Sequence, residues 1–334
     1  MGKTRNISGD FNCAFRVKPL TAAVLFYVGF TSVVSAQTFN IDKWSDLNQW
    51  ATNNSDNVFS GQGSSGNTFY FACNPEDKDF EFYSSSQGSV QENNTLIISK
   101  GNFHVFHDII LAASSGSDVS AEFNKIKITG GDFAGKVEKN VYSLYAARGT
   151  GKLSNNSVEV SGGNFAGHVM LFAAEQNSED LLGTENRLEN NNITVTGGTF
   201  TDDCKVELQA AYADNGDILN NGITIKNLKE GKFEWLNAAH SKAGNAENNY
   251  IDISDSDLSL EMTVVAAESN SPVCSHFSNN YVSIKNSTIN LSAAVYASHN
   301  VAGTAKDSVV SIDNSTITNE NGSVYIYGAY VDNG

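Results

Sequence analysis

Three ionisable residues fall at equivalent places in the second half of the chain: His240, Glu268 and His299, 28 and 31 residues apart. Each directly follows two small residues, Ala238-Ala239, Ala266-Ala267 and Ala297-Ser298. If each interval is one turn of a repeating structure, the three side chains lie on successive turns. Imidazole and carboxylate can share a zinc ion. Two turns of β-structure, however, separate the histidines by roughly 9.6 Å, far for a common ion unless the side chains tilt. The expectation is a solvated ladder, with no metal and no cofactor, and His240, Glu268 and His299 as the candidates to check. The full series at this place runs Ser114, Arg148, Glu175, Tyr212, His240, Glu268, His299, Tyr330.

Carboxylates on neighbouring turns would also suit glycoside hydrolysis, which needs two of them roughly 5–5.5 or 6.5–9.5 Å apart. One polar series, Asn102, Asp132, Asn164, Thr199, Asp257, Thr288 and Thr316, contains no adjacent acids. Asp202-Asp203 reads as a solvated turn. Beyond the N-terminal leader the only arginines are Arg148 and Arg187, few for a polysaccharide lyase, and the calcium-binding nonapeptide repeat G-G-x-G-x-D is missing. Cys73, Cys204 and Cys274 are odd in number and show no C-x-x-C spacing, so neither a closed disulfide framework nor a zinc knuckle is implied. No residue is singled out as catalytic.

The elements that would position these residues come from a repeat of about 30 residues. Val158 and Val160 alternate with Glu159, as in a strand with one buried face. Equivalent pairs are Leu96/Ile98, Ile126/Ile128, Ile193/Val195, Ile223/Ile225, Ile251/Ile253, Val282/Ile284 and Val310/Ile312, spaced 28 to 35 residues apart. A large apolar residue follows in each unit: Phe103, Phe133, Phe165, Phe200, Phe233, Leu258, Ile289 and Ile317. Phe233 arrives three residues late, which implies an insertion around Leu228 to Gly231. A corner of Gly-Gly, Asn or Asp-Ser lies between strand and apolar residue, where a positive φ is tolerated. The period-2 pattern and the β-branched residues exclude helical repeats. The fold predicted is all-β: a single-chain right-handed parallel β-helix (β-solenoid) of about eight coils over residues 93–334. At the strand spacing, eight coils make a rod of roughly 40 Å.

The flanks read differently. Lys3, Arg5, Arg16 and Lys18 precede an apolar run from Leu20 to Val34, and Val34-Ser35-Ala36 offers small residues for cleavage before Gln37. Residues 1–36 therefore read as an export signal rather than a membrane anchor. Residues 37–92 read as an N-terminal cap over the exposed first coil. Within it Trp44, Leu47 and Ala51 fall at helical spacing, with Asp42 as N-cap. At the other end, Ala329 to Gly334 repeats Ala211 to Gly216, yet no strand follows, so the expectation is an incomplete chain with an open edge able to self-associate. The net charge of −16 argues against a nucleic-acid partner and fits an exported surface. Sequons such as Asn155 and Asn314 read as Asn- and Ser-rich turns rather than glycosylation sites.

Units such as NNSVEVSGGNFAGHV and NNITVTGGTF resemble the passenger repeats of bacterial autotransporters, over residues 93–334, and the long leader is similar to their extended signal peptides. The resemblance implies a right-handed β-helix carried to the outside through a C-terminal outer-membrane barrel. This sequence departs from it in holding no barrel-like run of strands. The function expected is an adhesin-like surface or secreted interaction protein for a host-cell, matrix or glycan ligand. The alternative is a secreted carbohydrate-active enzyme on the same fold.

Overall fold

A computed structural model describes residues 37–43, 45–46, 51–53, 58–60, 66–72, 81–83, 91–103, 108–114, 120–134, 142–176, 187–271, 275–319 and 322–333. The leader, Trp44, Leu47, Trp50, Cys73 and Cys274 lie outside the described residues. The chain winds as a parallel β-solenoid with coils of about 30 residues. Among the described residues no helix is long and apolar enough to cross a membrane.

One face is a sheet of strands in register. The reference pairs stack in a column, Leu96 on Ile126, Ile126 on Val158, and so through Ile193, Ile223, Ile251 and Val282 to Val310. Alternation explains the register: a one-residue slip would turn every branched side chain of a strand outward. The same sheet continues toward the N-terminus through Thr68–Phe71 to Thr38–Ile41, with Phe69 paired to Leu96 and Phe71 to Ile98. The helix expected over Asp42 to Thr52 is corrected where that segment is described. Ala51–Asn53 is a strand, antiparallel to Val58–Ser60, and the Asp46 side chain, not Asp42, accepts the backbone N–H groups of Asp42 and Lys43.

After this face the chain turns a corner. At Gly162-Gly163 a Cβ on the first glycine would lie 2.4 Å from the Thr129 carbonyl oxygen of the coil below, and the second has φ +102°. Further along, Asn227, Asp255, Asn286 and Asn314 take the left-handed conformation instead, and a serine column supports them. There Ser256, Ser287 and Ser315 each accept the N–H of the residue one coil below at 3.0–3.1 Å. Past the corner Phe103, Phe133, Phe165 and Phe200 stack with ring centroids 4.9–5.1 Å apart. Equal spacing would set Phe233 against Leu258, but Phe233 pairs with Leu260, and Gly231 faces Leu258. The inserted residues put Glu230 in a left-handed turn and leave Gly231 without a side chain, and the buried Leu228 packs into that space.

A second corner closes the coils, and from Asn67 to Asn280 it is built on buried carboxamides. Asn67, Asn94, Asn124, Asn156, Asn191, Asn221, Asn249 and Asn280 are at most 3% exposed and stand in one axial row. Each Oδ1 from Asn94 onward accepts the backbone N–H of the asparagine one coil below at 2.8–3.2 Å, and in most coils its Nδ2 as well. The residue before each takes φ between +55° and +59° from Asn93 to Asn279. That residue is an asparagine in six coils; at Phe123 it is a 52%-exposed aromatic in a conformation that Asn tolerates better.

The interior is split. Most apolar residues form one continuous core, while a smaller one packs Leu153, Leu188, Ile218, Ala246 and Phe277 against a column of alanines. Phe165 is fully buried between Phe133 and Phe200. Phe165→Ala should destabilise the fold by about 3–5 kcal/mol, measured by denaturant unfolding; a loss below about 1 kcal/mol would contradict the stacking.

Candidate functional site at the re-entrant corner

The split core follows from the paired small residues. In the Ala173-Ala174 step, Ala173 belongs to the larger core and Ala174 to the smaller; Ala210-Ala211, Ala238-Ala239 and Ala266-Ala267 divide the same way. Two consecutive inward residues break the alternation of a strand, so the residues before and after them both face out. Alanine fills both places in most coils, and Leu111 ahead of Ala112 is an exception. Outward side chains on the two sides of the step therefore converge instead of splaying.

Two outward columns result. Before the step run Tyr145, Phe172, Gln209, Asn237, Val265, Tyr296 and Tyr327. After it run Arg148, Glu175, Tyr212, His240, Glu268, His299 and Tyr330. The sequence order is thus the spatial order, with one correction: Arg148 pairs with Ala113, not Ser114, because the step in that coil comes one residue earlier and Ala112 takes the place of Ala147. The columns touch across the corner. Asn237 donates from Nδ2 to Glu268 Oε2 at 2.9 Å, and the Tyr296 ring stacks on His299 with centroids 4.7 Å apart. Along the axis Tyr145 stacks on Phe172 at 4.7 Å, Tyr212 on His240 at 4.8 Å and Tyr296 on Tyr327 at 5.1 Å.

His240, Glu268 and His299 do lie on three successive coils. The carboxylate stands between the rings: His240 Nδ1 is 3.5 Å from one oxygen and His299 Nδ1 3.4 Å from the other. Each ring thus faces its own oxygen, which suits a buried charge relay better than a shared ion. The far side of His299 meets Asp332, with Nε2 to Oδ2 at 3.5 Å. Burial by itself would raise the Glu268 carboxyl, but hydrogen bonding and charge from His240 and His299 outweigh it and bring it down to about 2. His299 is raised, first by its hydrogen bond to Glu268 and against its own burial, with Asp332 adding to the effect. Farther along the column Arg148 pairs with Glu175 at 2.7 Å, and two residues beyond it Lys242 pairs with Asp214 at 2.6 Å.

A second cluster escaped the sequence reading. His168, Glu207 and Glu234 come together on the outer face of the coils that begin at Val158, Ile193 and Ile223, their nearest ligand atoms all within 4.8 Å. His168 Nε2 is 2.9 Å from Glu207 Oε1 and 3.8 Å from Glu234 Oε2. These residues do not share a column. His168 pairs with Lys205, Glu207 pairs with Trp235, and Glu234 occupies the bend before it. A count down equivalent positions passes over them. The signal that could have found them is the Phe233-Glu234-Trp235 bend, where alternation fails. Of the other acids, Asp202 sits in a turn and pairs with Lys232. Cys204 is a buried thiol whose ionisation burial pushes up to about 11.

In comparisons with known proteins, no family model, no curated protein and no solved structure matches the chain.

The relay has a pH signature. The Glu268 carboxyl, lowered on folding, contributes stability above its ordinary range near pH 4.3, and that contribution fades as pH falls toward the folded value. The raised His299 contributes below its ordinary value near pH 6.5, and that contribution fades as pH climbs through the folded one. The two overlap between about pH 4.5 and 6.5. Glu268→Gln should lower stability in that window by about 1–3 kcal/mol and flatten its pH dependence. Denaturant unfolding across pH reads both effects, and an unchanged profile would contradict the relay.

Proposed function

We propose that this chain is an exported, passenger-like β-solenoid that works as an interaction module and binds a glycan, matrix or host-cell ligand along its re-entrant corner. The observation that carries this reading is the chemistry of the two outward columns. Stacked rings alternate with amide, imidazole and carboxylate groups along one axial strip. Planar rings that expose a face, beside side chains able to donate and accept, are what a sugar ring with one apolar face and a rim of hydroxyls requires. Contact by a ligand is assigned to the Tyr296, His299, Tyr327 and Tyr330 stretch of the strip, where four rings pack continuously across two coils. The repeat pattern shared with autotransporter passengers supports export and display, and the net charge of −16 suits a surface that avoids nucleic acid.

Binding to immobilised glycosaminoglycans, mucin glycans and pectin tests this directly. The expected result is saturable retention of at least one of them, weakened at least about fivefold by Tyr330→Ala, the loss of roughly 1 kcal/mol of stacking. Turnover of any of these polymers would overturn the reading in favour of a carbohydrate-active enzyme, and retention indifferent to Tyr330 would move the binding surface elsewhere.

A further inference from the structure

We infer that His168, Glu207 and Glu234 form a binding site for one divalent transition-metal ion, of the zinc class, that clips three successive coils together. Each of the three offers one atom to a common point. The second oxygens of the two carboxylates are held back by separate partners, as outer groups hold the ligands of a metal site. Glu207 turns Oε1 toward His168, while its Oε2 accepts from Gln209 Nε2 at 3.2 Å. Glu234 leans Oε1 toward Lys205 Nζ at 3.5 Å and turns Oε2 toward His168. That Oε2 is buried and has no hydrogen-bond partner among the described residues, an arrangement that costs free energy unless something else meets it.

The spacing suits the ion. Two ligands at about 2.1 Å from a tetrahedral zinc lie about 3.4 Å apart. The two separations from His168 Nε2, 2.9 and 3.8 Å, lie on either side of that distance. The third separation, between the two carboxylates, lies within 4.8 Å, so side-chain shifts of up to about 1.4 Å would close the shell on an ion. One imidazole with two carboxylates is a borderline donor set, which favours zinc or a neighbour over calcium, a cation that takes six to eight oxygens. The three side chains are 12–21% exposed, so solvent reaches the cluster. Bringing two carboxylates side by side in a strongly acidic protein repels; a dication between them turns the repulsion into attraction. Binding also ties folding to metal, because the three ligands belong to coils that meet only in the folded solenoid. On binding, Nε2 gives up any proton it carries and coordinates through its lone pair, so acid should weaken the complex.

The test uses the full chain stripped with chelator and then titrated with Zn2+ in a calorimeter and with Co2+ in visible absorption. The account expects one Zn2+ per chain, a Co2+ d–d spectrum with nitrogen and oxygen ligands, and a higher melting temperature with saturating Zn2+. His168→Gln and Glu234→Gln should each weaken Zn2+ by roughly tenfold or more. Both keep the side chain's approximate shape at a partly exposed position, and each melts independently in chelator, so one misfolded variant leaves the other to decide. No uptake of Zn2+, or uptake indifferent to both substitutions, would overturn the site.

Discussion

From Asn67 to Asn280, successive coils of this solenoid close over a carboxamide that water barely reaches. The asparagine row from Asn67 to Asn280 binds each coil to the next through one side-chain oxygen that takes up to two N–H groups from the coil below. A single hydrogen bond of this kind adds only about 1 kcal/mol. The larger effect is asymmetric, because a buried amide left without its partner costs its full desolvation. The row therefore acts as a register lock. In a coil that slipped by one residue, a neighbour such as Thr95, Lys125 or Ser157 would take the place of the carboxamide, and the donors of the coil below would lose their acceptor. The left-handed residue before each asparagine sets the carboxamide on the axis, and this is why Asn-Asn pairs recur through the chain.

The outer sites follow from how such coils must bend. The paired alanines that divide the core bring two outward columns together, and that convergence, not an added domain or loop, buries Glu268 between His240 and His299. The bend after Phe233 sends two consecutive residues outward, and so carries Glu234 to Glu207 and His168. Both sites sit where the alternation of a strand fails. A regular sheet face would hold like positions about 4.8 Å apart in straight columns. Corners bring residues together diagonally and at closer range.

Much of this was legible in the residues. The alternating pairs give the strand register without error from Leu96 to Val310, because the side-chain period is a strict two and one face is buried. The column holding His240, Glu268 and His299 could be read because the Ala-Ala steps mark it. Three things could not be read. The asparagines looked like turn residues, since sequence alone does not distinguish a carboxamide facing water from one facing the axis. Phe233 pairs with Leu260 because an insertion can be absorbed on either side of Gly231, and only packing by Leu228 decides which. The His168 cluster is diagonal, so no equivalence of positions points to it.

Amide hydrogen exchange on Asn156→Ala, compared with the parent chain, tests the register lock most directly. In the folded parent, the Asn124 N–H donates to Asn156 Oδ1 at 3.0 Å, and Asn124 Nδ2 does so at the same distance. The account predicts that the substitution speeds exchange at Asn124 more than at amides in the flanking strands, and that it removes about 1–3 kcal/mol of global stability. An Asn124 amide as protected as in the parent, with unfolding unchanged, would contradict it.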